Sequence, residues 1–130
     1  MERRNISSGS AWEPKIGYSR AVVVGNRVIV SGTAPVAEGG GTAAPGDPYG
    51  QTKRCLEIIL KALESAGASA KDVVRTRMFV TDITRWEEYG RAHGEVFGDI
   101  RPATTMVGVA ALIEPDMMVE VEAEAVLGSQ

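Results

Sequence analysis

The sequence is short of the residues on which much small-protein chemistry depends. It holds one cysteine and one histidine in 130 residues, so an intrachain disulfide is excluded and a Cys/His zinc site lacks ligands. Basic residues number 14 against 17 acidic ones, a net charge of −3, so there is no strong positive field to gather phosphate backbones. Nucleic acid is therefore not an expected partner. No apolar run approaches the ~20 residues needed to cross a bilayer. Arg3 and Arg4 are not followed by the apolar core of a signal peptide. No membrane contact and a cytoplasmic location are expected. Gly39-Gly40-Gly41 is not followed by Gly-Lys-Ser/Thr, which removes a phosphate loop. Neither a metal nor a cofactor is expected.

What is present suits an ordinary globular chain: 44% hydrophobic and 24% charged residues, enough apolar surface to offset chain entropy. The length fits one domain over residues 1–130. Ala21–Val24 and Arg27–Val30 are β-branched runs around Gly25-Asn26, which predicts a hairpin. Residues 39–46, rich in Gly, Ala and Pro, predict a loop. Asp47-Pro48 opens a helix that Gly67 stops, with Leu56, Ile59, Leu60 and Leu63 on one face. Ser69 and Asp72 resemble a short capping turn, followed by a strand in which Val74, Thr76, Met78 and Val80 alternate with Arg75, Arg77 and Phe79. Thr84 and Glu87 have capping-box spacing, and Trp86, Tyr89, His93, Val96 and Phe97 recur at helical spacing until Gly98. Residues 103–112 and 117–127 read as strands joined by a turn at Glu114-Pro115-Asp116.

The order β-β-α-β-α-β-β implies an α+β fold, a mixed sheet with both helices on one face. Its other apolar face then needs cover, which points to self-association.

Candidate chemistry is sparse. Val119 to Val126 alternates strictly, putting Glu120, Glu122 and Glu124 on one face of a strand. They form a solvated face or, at an interface, include a carboxylate that needs a donor or moves a proton. Cys55 in its apolar run reads as a packed thiol, and His93 as a hydrogen-bonded packing residue. Nothing in the spacing supports a Cys55–His93 nucleophilic pair.

The segments Ile16-Gly17-Tyr18-Ser19-Arg20-Ala21-Val22, Val30-Ser31-Gly32-Thr33, Arg101-Pro102-Ala103-Thr104-Thr105-Met106-Val107 and Val119-Glu120-Val121-Glu122-Ala123 together resemble the RidA/YjgF family, also called endoribonuclease L-PSP. That resemblance implies a chorismate-mutase-like fold and a homotrimer with small-molecule clefts between subunits. It also implies cofactor-free hydrolysis of enamines and imines to 2-keto acids and ammonia. By the same resemblance Glu120 positions the attacking water, Tyr18 lines the cleft and Gly32 offers a backbone donor. Thr104 stands where the family has an arginine that grips the substrate carboxylate, and Met106 replaces a small residue and fills the cleft. A neutral hydroxyl cannot replace a bidentate cation, which puts activity on simple 2-imino acids in question. Arg20, two residues from Tyr18, either supplies the missing cation or pairs with an acidic group across the interface, and Arg101 is a weaker substitute. Three functions fit this sequence: an enamine or imine hydrolase with altered preference, a non-catalytic binder of a keto acid or neutral metabolite, and, against its charge, an endoribonuclease.

Overall fold

In the computed structural model, which describes residues 1–128, the chain runs through β1 (Arg3–Ile6), α1 (Trp12–Ile16), β2 (Ala21–Val24), β3 (Arg27–Thr33), α2 (Pro48–Ser65), β4 (Val73–Val80), α3 (Trp86–Phe97), β5 (Ala103–Gly108) and β6 (Val119–Val126), with 3-10 turns at Ala70–Asp72 and Ile83–Arg85. The strands form one sheet in the order β1-β2-β3-β6-β4-β5. Neighbours are antiparallel except β4 and β5, which the α3 crossover makes parallel. This is a mixed α+β fold.

Local chemistry explains most boundaries. Asp47 accepts from Gly50 N at 3.0 Å and Pro48 occupies the first turn of α2, where its missing N–H costs nothing. Leu56, Ile59 and Leu63 of α2 and Tyr89 and Phe97 of α3 are buried together with Val119, Val121, Ala123 and Ala125 of β6. Both long helices thus cover one face of the sheet. Gln51, buried on α2, donates to Asp116 O at 2.9 Å and accepts from Met118 N at 2.7 Å, which pins the turn before β6 to the helix.

Several elements depart from expectation. β1 and α1 were not foreseen. β1 is polar and exists because it pairs with β2, Arg3 against Val24 through Ile6 against Ala21. A register shift between Val73 and Arg75 turns Val73 inward and leaves Val74 exposed, since a bulge breaks the two-residue period. The Thr84–Glu87 capping box does not form. Asp82 accepts from Thr84 N and Oγ1 instead, so a 3-10 turn precedes α3, and Trp86 is 56% exposed. Residues 109–112 and 117–118 lie outside the strands. Loop 39–46 is partly paired, through the Val36–Thr42 bridge and a 2.6 Å bond from Thr42 Oγ1 to Asp116.

Candidate functional site

The face of the sheet away from the helices carries the alternate residues of β6, namely Glu120, Glu122 and Glu124, and Phe79 of β4 pairs with Glu120 there. Glu122 and Glu124 are held by Arg77, at 3.4 and 3.9 Å, and Glu124 also by Arg27 at 3.6 Å. Glu120 differs: among the described residues no side chain or backbone N–H donates to its carboxylate.

Gly32 makes room for that carboxylate. Where β3 meets β6, Val30 pairs with Ala123 and Thr33 with Val121, so Ser31 and Gly32 together oppose one residue of β6 in a bulge. The bulge brings the Gly32 backbone against Glu120. A Cβ at position 32 would overlap the carboxylate oxygen and lie 3.1 Å from its carbon, so glycine is required by close approach.

The segment before β2 completes the cluster. Ser8 donates its N–H and hydroxyl to the buried Glu13 carboxylate, and Gly17 N and Tyr18 N bond to Glu13 O at 2.8 and 3.0 Å, with Gly17 in the left-handed region at φ 90°. These contacts fix Tyr18. Arg20 then lies 5.8 Å from the centre of the Tyr18 ring and donates Nη2 to Gly32 O at 2.6 Å, while its buried Nε meets no acceptor among the described residues. Ser31 Oγ bonds to Ser19 O at 2.6 Å and Ser31 N to Arg20 O at 3.0 Å, tying the segment to the bulge. Glu13 as the support of Tyr18 was missed in the sequence, although Ser7-Ser8-Gly9-Ser10 before it and Gly17 after it are stop signals of a short helical turn.

Electrostatics set Glu120 apart. Partial burial raises its carboxyl above the usual carboxylate range, the Arg20 guanidinium opposes that shift, and Glu122 adds to it. The result is a half-buried carboxylate with free lone pairs, close to a cation and able to exchange a proton.

Thr104 and Met106 are not part of this cluster within one chain. Thr104 is the register partner of Thr76 on the helix-covered side of β5, and Met106 packs against the core. β5 is an edge strand of the sheet, opposite β1. Arg101, exposed and at φ 55°, bonds through Nε to Gly98 O at 3.3 Å at the end of α3. Cys55 is fully buried under α2, its thiol pushed up first by burial and then by the Glu120 charge. His93 Nε2 contacts Thr76 Oγ1 at 2.8 Å, away from the thiol. Among the described residues, no cluster of three or more His, Cys, Asp or Glu is placed to hold a metal, and no helix is long and apolar enough to cross a membrane.

Comparison with known proteins agrees with this architecture. The family model for endoribonuclease L-PSP matches residues 8–127. A Mycobacterium tuberculosis protein of the YjgF/YER057c/UK114 family, known from its crystal structure, superposes with a TM-score of 0.88 at 48% identity, covering 97% of this chain and 100% of that one. An uncharacterised protein of Streptomyces coelicolor is 39% identical over 97% of this chain and 93% of its own length. The 3-aminoacrylate deaminase RutC of Acinetobacter baylyi is 34% identical over 86% of this chain and 88% of its own length. Sequence pattern, sheet order and these similarities together make the chain a member of the endoribonuclease L-PSP family, the RidA/YjgF proteins.

Proposed function

We propose that the protein is a cytoplasmic homotrimer that hydrolyses a reactive enamine or imine without a cofactor, at sites between subunits centred on Glu120. The observation that carries this reading is the Glu120 carboxylate, half-buried and without a donor among the described residues, beside the Gly32 bulge and Arg20, which in turn stands over Tyr18. A substrate enamine becomes an imine by protonation at carbon. Water then adds to the C=N carbon, giving up a proton to Glu120, which passes it to the nitrogen. The hemiaminal collapses, its C–N bond breaks, and C=NH plus water becomes C=O plus ammonia. Arg20 limits the cost of the buried charge when Glu120 is ionised.

The trimer accounts for the open face. Ile29 and Val107 are each 40% exposed beside the arginine and glutamate rows, and a neighbouring subunit would cover them. The same neighbour would bring its β5 edge, with Thr104 and Met106, towards Glu120. The deaminase named in Acinetobacter baylyi supports the reaction class. A second reading, a non-catalytic binder of a keto acid or neutral metabolite, is favoured by Thr104, which offers no cation to a carboxylate.

The test is pyruvate formation from 2-aminoacrylate generated in situ, with sedimentation run in parallel. The expected result is a trimer that accelerates the reaction, with the acceleration lost in Glu120→Gln. A trimer that leaves the reaction at the rate of the free compound would establish the binding reading. A monomer at micromolar concentration would remove the interface site altogether.

A further inference from the structure

His93, the one histidine of the sequence, sits at the inner end of a row of hydroxyls that reaches the surface. Its Nε2 is 2.8 Å from Thr76 Oγ1, Thr76 Oγ1 is 2.8 Å from Thr104 Oγ1, and Thr104 Oγ1 is 3.2 Å from Pro102 O. Thr76 is only 1% exposed and Thr104 is open to solvent. Parallel pairing of β4 with β5 makes the two threonines register partners, and α3 lays the imidazole against Thr76. The Phe97 ring, with its centre 4.7 Å away, packs on the imidazole.

The direction of the row follows from its outer end. A carbonyl only accepts and a hydroxyl has one proton to give. Thr104 therefore donates to Pro102 O and accepts from Thr76, and Thr76 in turn accepts from His93. All three bonds coexist only in the sequence His93 Nε2–H to Thr76 to Thr104 to Pro102 O. His93 is thus the Nε2–H tautomer, and both hydroxyl protons point outwards. Burial lowers the affinity of the imidazole for a second proton, so the row is neutral.

We propose that His93 is a positioning residue that presents the Thr104 hydroxyl as an outward donor to a neutral acceptor on the ligand, a small 2-oxo or 2-imino compound with an amide or ester in place of the carboxylate. This rests on the reading that Thr104 lines the interface site. The Pro102 bond is the longest of the three and lies at the exposed end, so it is the bond a ligand oxygen replaces. The two inner bonds persist and polarise the outer one. A carboxylate at this point would lose hydration and meet no cation, whereas an amide carbonyl accepts the same donor at a smaller desolvation cost. Arg20 does not change this balance, because its Nη2 is committed to Gly32 O and its charge faces Glu120.

Two measurements test the proposal on the intact protein. Long-range nitrogen-proton NMR at pH 7 reads a single imidazole here. It should show the Nε2–H tautomer in wild type and in Thr76→Ser. In Thr104→Val the released Thr76 proton should turn to Nε2 and shift the ring towards Nδ1–H. A wild-type Nδ1–H ring, or a Thr104→Val ring unchanged from wild type, would overturn the row. Calorimetric titration should show pyruvamide binding more tightly than pyruvate. Thr76→Val, isosteric and checked for folding by its melting transition, should weaken pyruvamide by up to about 3-fold, a part of the value of one neutral hydrogen bond. Thr76→Ser should bind as wild type does. Pyruvamide bound equally by Thr76→Val, or pyruvate bound more tightly by wild type, sinks the positioning role while leaving the site in place. If neither compound binds while the tautomer is Nε2–H, the site reading fails and takes the ligand role of Thr104 with it.

Discussion

The two faces of the sheet are built from the same strands and behave differently. On the helix-covered face β6 contributes Val119, Val121, Ala123 and Ala125, all buried by α2 and α3 of the same chain. On the other face its Glu120, Glu122 and Glu124 stand half-exposed among arginines and uncovered apolar side chains. The first face is complete in one chain, and apolar burial there stabilises the fold. The second is left incomplete, and so can hold a carboxylate away from its ordinary proton affinity. Stability and proposed chemistry are separated by the thickness of one strand.

Substitutions on each face should move one property and spare the other. Glu120→Gln should lower turnover of 2-aminoacrylate by about 10²- to 10⁴-fold, the usual worth of a general acid–base group. Its thermal midpoint should not fall, because an unfavourable buried charge is removed. Leu63→Ala, on the covered face, should cost about 2–5 kcal/mol in denaturant unfolding with turnover per folded molecule unchanged. If Leu63→Ala abolishes activity while still folded, the two faces are coupled and the contrast fails.

A pH series sharpens the contrast. The folded protein holds the Glu120 proton more tightly than the unfolded chain, so it binds more protons between the ordinary carboxylate range and the raised value. Stability from this group is therefore present at low pH and lost as pH rises through that window. Wild type should lose stability relative to Glu120→Gln over the window, as read by denaturant midpoints at each pH. The opposite slope would mean that Arg20 dominates the site. The smallest effect belongs to Glu122→Gln, whose exposed pairing with Arg77 is worth roughly 0–1 kcal/mol and should fade with added salt. A larger, salt-insensitive cost would place Glu122 in a dry interface.

The covered face was largely legible in the sequence because its signals are local. Alternation in Val119–Val126, the helical spacing of Leu56, Ile59 and Leu63, and the Asp47-Pro48 start each fix a nearby backbone without reference to the rest of the chain. Elements that depend on distant partners were not legible. The polar strand Arg3–Ile6 forms only because β2 offers it an edge. The bulge at Val73 inverts one side chain, and Asp82 displaces the Thr84–Glu87 cap by reaching Thr84 first.

By itself the sequence determined that the chain folds as a mixed sheet under two helices, with no intrachain disulfide and with three carboxylates on one side of its last strand. Those properties follow from composition and from periods of 2 and 3.6 residues, which any segment carries within itself. Only the tertiary structure decided which carboxylate is left without a donor and where the residue at position 104 points. The Gly32 bulge and Arg20 are brought to Glu120 by strand order. Thr104 turns to Thr76 and His93, away from Glu120, because the pairing of β4 with β5 sets its register. A register slip of one residue would exchange those faces, and no local signal in Arg101-Pro102-Ala103-Thr104 specifies it.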